Sequence, residues 1–242
     1  MRNIKLLLEY DGTAFAGWQV QPEQRTVQGV LELALSQMTG EKVSLIGSGR
    51  TDAGVHASGQ VANFKTDKDI PLKAFNEGLN AVLPKDVAVL KAEEADPEFH
   101  SRFGAKSRLY RYQIITRRSP LLERYAWRIL YPLNRDVLPE LCNVILGKHD
   151  FTAFASAQAE VDNFNVNVAR AGWKDYGGVL SFEILADRFL HNMVRIIVGT
   201  MMDTARGHLK PEDMKRILES RDRTLAGKTA PACGLCLVKV EY

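Results

Sequence analysis

In the first hundred residues the apolar pattern changes period in an order that few folds allow. Ile4 to Tyr10 reads as an apolar strand closed by Asp11-Gly12, a turn signal. Thr26 is placed to cap a helix whose apolar residues, Val27, Val30, Leu31, Ala34, Leu35 and Met38, share one face, and Gly40 stops it. Val43 to Gly47 reads as a strand, followed by a Gly-rich loop and a second strand from about Gly59 to Phe64. Pro71 opens a helix with Leu72, Phe75, Leu79 and Val82 on one face; Pro84 ends it, and Val87 to Leu90 forms another strand. The order β-α-β-β-α-β predicts the split βαβ, or ferredoxin-like, arrangement.

The rest of the chain repeats this order more loosely. Arg108 to Thr116 alternates like a strand, and Asn134 can cap a helix carrying Val137, Leu141, Val144 and Ile145. Asn167–Asp175 and Val179–Leu185 are expected to pair across Tyr176-Gly177-Gly178. Phe189 to Met201 reads as a helix with an apolar stripe (Leu190, Met193, Val194, Ile197, Val198, Met201). Pro211-Glu212-Asp213 starts a short helix, and Leu235 to Val240 closes the chain as a strand. The expected class is α+β: two ferredoxin-like halves, 1–104 and 105–242, sharing a central, mostly antiparallel sheet with helices on one face.

Composition removes whole classes. With 242 residues, 45% hydrophobic and 25% charged, the chain is neither disordered nor fibrous. Charges interrupt every apolar run before the ~18 residues of a membrane helix. The N-terminus shows neither a secretory signal nor a transit-peptide composition. Three cysteines make no disulfide framework, so a reducing cytoplasm is expected.

Charge is unevenly spread. Between His100 and Arg135 stand nine basic residues and one acid, Glu123, giving +8 in a chain whose net charge is only +3. Eight of the nine are arginine, which suits phosphate forks and stacking on bases. This stretch is either a polyanion-facing surface or a solvated strand edge guarded by charge. If the former, Arg102, Lys106, Arg108, Arg111, Arg117 and Arg118 are the candidate RNA contacts.

The loop Gly47-Ser48-Gly49-Arg50-Thr51-Asp52-Ala53-Gly54-Val55-His56 lies between two strands. Gly49 and Gly54 have P-loop spacing, but Val55-His56 stand where Lys-Ser/Thr is required. A dinucleotide fingerprint needs Gly in place of Asp52 and a helix next. What remains is a glycine-bounded turn projecting Arg50 and Asp52. It is either an ionised carboxylate poised as nucleophile or base, or a structural turn with a surface ion pair. The five histidines have no HxxxH or HxH spacing, so a metal-dependent hydrolase built on them and Asp52 is a weak alternative. Cys233-Gly234-Leu235-Cys236 opens a strand rather than a helix, so both are read as ordinary buried cysteines.

Gly49-Arg50-Thr51-Asp52-Ala53-Gly54-Val55-His56 followed by Gly59-Gln60-Val61 resembles the signature of the tRNA pseudouridine synthase A family. The resemblance continues in Tyr10-Asp11-Gly12-Thr13, Gly17-Trp18-Gln19, Thr26-Val27-Gln28-Gly29, Phe99-His100-Ser101-Arg102-Phe103 and Arg108-Leu109-Tyr110-Arg111-Tyr112. It ends in Gly147-Lys148-His149-Asp150-Phe151, Phe189-Leu190-His191-Asn192-Met193-Val194-Arg195 and Ala230-Pro231 with Gly234-Leu235. Ser101, Thr204-Ala205-Arg206 and Arg170-Ala171-Gly172 depart from the family pattern.

The resemblance implies isomerisation of uridines 38, 39 and 40 in the anticodon stem-loop of tRNA, by a homodimer without cofactor or metal. It places the catalytic aspartate at Asp52, the substrate tyrosine at Tyr110, active-site arginines at Arg50 and Arg195, and an apolar pocket leucine at Leu235. Because the family puts both in one pocket, Asp52 is the expected charge partner of Arg195. The chemistry breaks N1–C1′, turns the uracil, joins C5 to C1′ and removes the C5 proton. That requires a base taken out of its stack and a carboxylate. Whether the carboxylate attacks the sugar, attacks the ring or only removes a proton stays open. A non-catalytic RNA-binding protein is the remaining alternative, and the joint presence of Asp52, Arg50, Tyr110 and Arg195 argues against it.

Overall fold

In the computed structural model, which describes residues 1–156 and 161–242, the chain divides into two compact units, Met1–Lys106 with Cys236–Tyr242 and Ser107–Leu235. The first runs β1 (Arg2–Tyr10), α1 (Val27–Thr39), β2 (Ile46–Gly47), β3 (His56–Thr66), α2 (Leu79–Val82) and β4 (Val87–Ala95). Its sheet order is β4-β1-β3, with β2 also on β3, and all three pairings are antiparallel. Strand β1 lies between β3 and β4 and fully buries Ile4, Leu6 and Leu8.

Local chemistry explains most of these elements. The Thr26 side chain accepts from the Gly29 amide at 3.3 Å, and Gly40 ends α1 in the left-handed region at φ 69°. Of the predicted face Val27, Leu31, Ala34 and Leu35 are buried, while Val30 and Met38 are half-buried. The strand expected over Val43–Gly47 shrinks to Ile46–Gly47. Side chains of α1 take the amides a ladder would need: Ser36 Oγ accepts from Val43 N at 3.1 Å and Glu32 Oε1 from Leu45 N at 2.8 Å. The second helix contains a π-type turn, Ala74–Gly78, before α2. The extra residue shifts its face, so Phe75 and Leu79 are buried while Val82 is 62% exposed.

The second unit runs β5 (Ser107–Ile115), β6 (Trp127–Arg128), α3 (Leu138–Val144), β7 (Gly147–Asp150), β8 (Asn165–Asp175), β9 (Val179–Ala186), α4 (Met193–Ala205) and α5 (Asp213–Ser220). Its strands follow β5-β9-β8-β7 with antiparallel neighbours, and β6 adds a short parallel pairing to β5. Strands β8 and β9 join where expected, with Gly177 and Gly178 at positive φ. Asn134 caps a 3-10 turn, Arg135–Val137, that leads into α3.

Helix α4 corrects the expectation for Phe189–Met201. It begins at Met193, because Asn192 adopts φ 63°, a conformation a right-handed helix excludes, and it runs on to Ala205. It carries no mere stripe: every residue but Arg195 is buried. Gly199 is obligatory here, since a Cβ would stand 1.7 Å from the Lys228 carbonyl oxygen.

Strand β10 (Leu235–Glu241) runs from the last residue of the second unit into the first, where it pairs in parallel with β3 (Cys236 with His56, Leu237 with Ala57). The class is α+β. The cysteine expectation is corrected: Cys142 is buried, but Cys233 and Cys236 are partly exposed, one in a 3-10 turn (Ala232–Gly234) and the other across from exposed Ser58.

Candidate active site

The Gly-rich loop hangs between β2 and β3 and is fastened from below. The Trp18 amide donates to Thr51 O at 3.0 Å, the Gly54 amide to Phe15 O at 3.3 Å, and the Val55 amide to Asp52 O at 3.1 Å. Gly17, at φ 100°, lets the Gly17-Trp18-Gln19 turn approach so closely that a Cβ would lie 2.7 Å from Thr51 O. Gly12 has a similar role, with a Cβ position 2.0 Å from Val55 O. The Gly12 amide donates to His56 Nδ1 at 3.1 Å, and the same nitrogen lies 3.2 Å from Asp11 Oδ1. Ser48, Thr51, Val55 and His56 are buried, while Asp52 keeps partial exposure at the open end.

Arg50 is exposed, and its Nε donates to Gln19 Oε1 at 3.2 Å. The arginine of the loop is thus tethered to the neighbouring Gly17-Trp18-Gln19 turn.

A buried polar network lies beneath the loop, and the sequence reading missed it. The Gln60 amide nitrogen donates to Gly49 O at 2.9 Å, and Gln60 Oε1 accepts from Ser48 Oγ at 2.6 Å. Tyr10 OH is 2.8 Å from Thr51 Oγ1. Burial pushes the Tyr10 phenol well above its usual range, so it is a neutral hydroxyl. The available signal was a glutamine directly before Val61-Ala62 in a strand.

The second unit holds Tyr110, Arg195 and Leu235. Tyr110, on β5 opposite Ile184 of β9, is buried and meets Phe189 edge to face at 5.0 Å. Arg195 is half-buried: Nε donates to Ala230 O at 2.8 Å and Nη1 to Asn192 Oδ1 at 2.7 Å. The left-handed Asn192 thereby presents its side chain to the arginine. Leu235 is buried at the start of β10. Just before it, Gly234 packs on Tyr112, whose hydroxyl donates to Pro231 O at 2.7 Å.

The six candidate RNA contacts differ. Arg102 (its guanidinium over the Phe103 ring), Lys106, Arg117 and Arg118 are exposed. Arg108 is half-buried and donates to Asp187 O at 2.7 Å, and Arg111 grips Glu183 Oε1 at 2.8 and 3.1 Å. The histidines have separate settings: His56 in the loop, His100 stacked on Phe103 at 4.4 Å, and His149 bonded to Leu146 O. Among the described residues no group of three or more His, Cys, Asp or Glu side chains is placed to hold a metal ion, and no helix is long and apolar enough to cross a membrane.

The sequence as a whole has relatives. A family model described as tRNA pseudouridine synthase matches residues 7–104 and 141–242. The chain is 48% identical over 245 residues to the tRNA pseudouridine synthase A of Citrifermentans bemidjiense, covering 100% of this chain and 98% of the relative. It is 47% identical to that of a Geobacter species, covering 100% and 99%, and 46% identical to that of Caldicellulosiruptor bescii, covering 100% of each. The class is that of isomerases acting on tRNA. The chain belongs to the tRNA pseudouridine synthase family.

Proposed function

We propose that this chain converts uridine to pseudouridine at positions 38, 39 and 40 of the tRNA anticodon stem-loop, as a cytoplasmic homodimer that needs no cofactor or metal. The observation that carries the reading is Asp52, a partly exposed carboxylate at the open end of a loop in which Ser48 and Thr51 are buried and hydrogen-bonded. Residues 1–104 supply this loop, and residues 105–242 supply Tyr110, Arg195 and Leu235 as two ferredoxin-like halves. The β4-β1-β3-β2 order of the first supports that description.

In this reading the target base leaves its stack and Asp52 supplies the carboxylate needed for N1–C1′ cleavage. The uracil turns, C5 bonds to C1′, and the C5 proton is lost. Tyr110 offers a ring to the base, Leu235 an apolar wall, and Arg50 and Arg195 positive charge. Arg102, Lys106, Arg108, Arg111, Arg117 and Arg118 bind the RNA.

The test is tritium release from tRNA labelled at uracil C5, run with chelator and in parallel with added divalent metal. Wild type releases tritium from positions 38 to 40 and leaves the RNA intact; Asp52→Asn binds tRNA and releases none. Release by Asp52→Asn at a near-normal rate, or metal-dependent cutting of the RNA, overturns the reading.

A further inference from the structure

Gln60 does no chemistry in that scheme, yet it is placed to control the loop that does. It is fully buried in β3, opposite Leu8 of β1, in a strand buried at every position but Ser58 and Lys65. A buried amide without partners is costly. Here each polar position of the amide is matched. Oε1 accepts from Ser48 Oγ at 2.6 Å and from the Val61 amide at 3.2 Å. Nε2 donates to Gly49 O at 2.9 Å and, more weakly, to Tyr10 OH at 3.5 Å. The Gly49 carbonyl can only accept and the Val61 amide can only donate, so the partners fix which end of the amide is oxygen.

Two of these bonds hold consecutive loop residues, Ser48 and Gly49. The third leads through Tyr10 to Thr51, the residue before Asp52. Tyr10 OH, which accepts from Gln60, shares a second hydrogen bond with Thr51 Oγ1, in which either hydroxyl can donate. The Ser48 amide also donates to Val61 O at 2.8 Å, so strand and loop are joined by backbone as well as side chain.

We infer that Gln60 is the positioning residue of the Asp52 loop, setting the carboxylate's placement through Ser48, Gly49 and the Tyr10–Thr51 relay. The inference rests on the reading of Asp52 as the reacting carboxylate. A positioning role is distinct from a merely structural one, because small misplacements of a reacting group cost rate without costing binding.

Three variants test it, by single-turnover pseudouridine formation, tRNA affinity and thermal unfolding. Gln60→Leu keeps size and removes the amide. Its single-turnover rate is expected to fall by about 100-fold while tRNA affinity stays within about threefold. Tyr10→Phe keeps the ring and removes only the relay hydroxyl, so it folds even if Gln60→Leu does not; a fall of about 10-fold is expected. Gln60→Glu gives the sharpest readout. An ionised carboxylate cannot donate to Gly49 O, but a protonated one can. Its rate relative to wild type is therefore expected to rise as pH falls from 8 to 6. A folded Gln60→Leu or Tyr10→Phe with wild-type rate, a rate loss matched by an equal loss of tRNA affinity, or a Gln60→Glu to wild-type ratio that does not change with pH overturns the inference. Asp52→Asn, run alongside, separates the two levels. If it retains activity, the reading of Asp52 fails; if it is inactive while the Gln60 and Tyr10 variants are normal, only the positioning role fails.

Discussion

Arg195 and Ala230 bind each other twice: Arg195 Nε donates to Ala230 O at 2.8 Å, and the Ala230 amide donates to Arg195 O at 3.0 Å. One contact uses the side chain and the other the backbone, so the guanidinium is fixed at the place where α4 meets the segment before β10. Arg195→Met leaves the Ala230 carbonyl and Asn192 Oδ1 without that donor. A loss of roughly 1–3 kcal/mol is expected in denaturant unfolding. Arg195→Lys restores less than half, since an ammonium cannot span both acceptors as the planar fork does.

Gly199 sets helix propensity against packing. Alanine there favours the isolated helix by about 1 kcal/mol. Its Cβ, however, would stand 1.7 Å from Lys228 O, a backbone atom that moves only with its whole segment. Gly199→Ala is therefore expected to destabilise by about 1–3 kcal/mol, read as a lower unfolding midpoint. An unchanged or raised midpoint would show that the 227–230 segment yields freely.

The basic segment separates into held and available charges. Replacing exposed Arg117 and Arg118 with Gln is expected to reduce the slope of log K against log [salt] for tRNA by about one per lost phosphate contact. Arg111→Gln is expected to reduce the slope by less, because that guanidinium is shared with Glu183. Titrations at several salt concentrations decide it.

Burial pushes the Cys142 thiol up to about 12. In the native protein at pH 8 a thiol reagent should spare Cys142 and reach the partly exposed Cys233 and Cys236. The folded pKa lies above the unfolded value of about 8.5. This contribution to stability is thus complete below that value and lost as pH rises toward 12. Cys142→Ala should flatten the alkaline decline in unfolding free energy between about pH 9 and 11.

What could be read in the sequence is what depends on near neighbours. Thr26 and Gly40 bracket α1 by local hydrogen bonding and a local φ, and the β8–β9 turn announces itself in two glycines. The loop bearing Asp52 is legible because its glycines and charges are contiguous. Val43–Leu45 misleads because its amides are claimed by side chains of the preceding helix, which no period reveals. The start of α4 misleads because Asn192 turns left-handed to serve Arg195, two demands met at one residue. Gln60 shows in the sequence only as a polar residue within a motif, and its positioning partners do not, since they lie 11, 12 and 50 residues away.

The path of β10 has a consequence for how the molecule comes into being. Residues 236–242 leave the ribosome after all of 107–235, yet they pair with β3 at His56 and Ala57, directly after the Asp52 loop. A nascent chain can therefore build the second unit while the first still lacks its last strand. A chain that stops before residue 236 has every residue of the second unit but leaves β3 without its parallel neighbour at His56 and Ala57. The first unit is thus discontinuous in synthesis: the β3 pairing next to the Asp52 loop can close only after every residue of the second unit has been made.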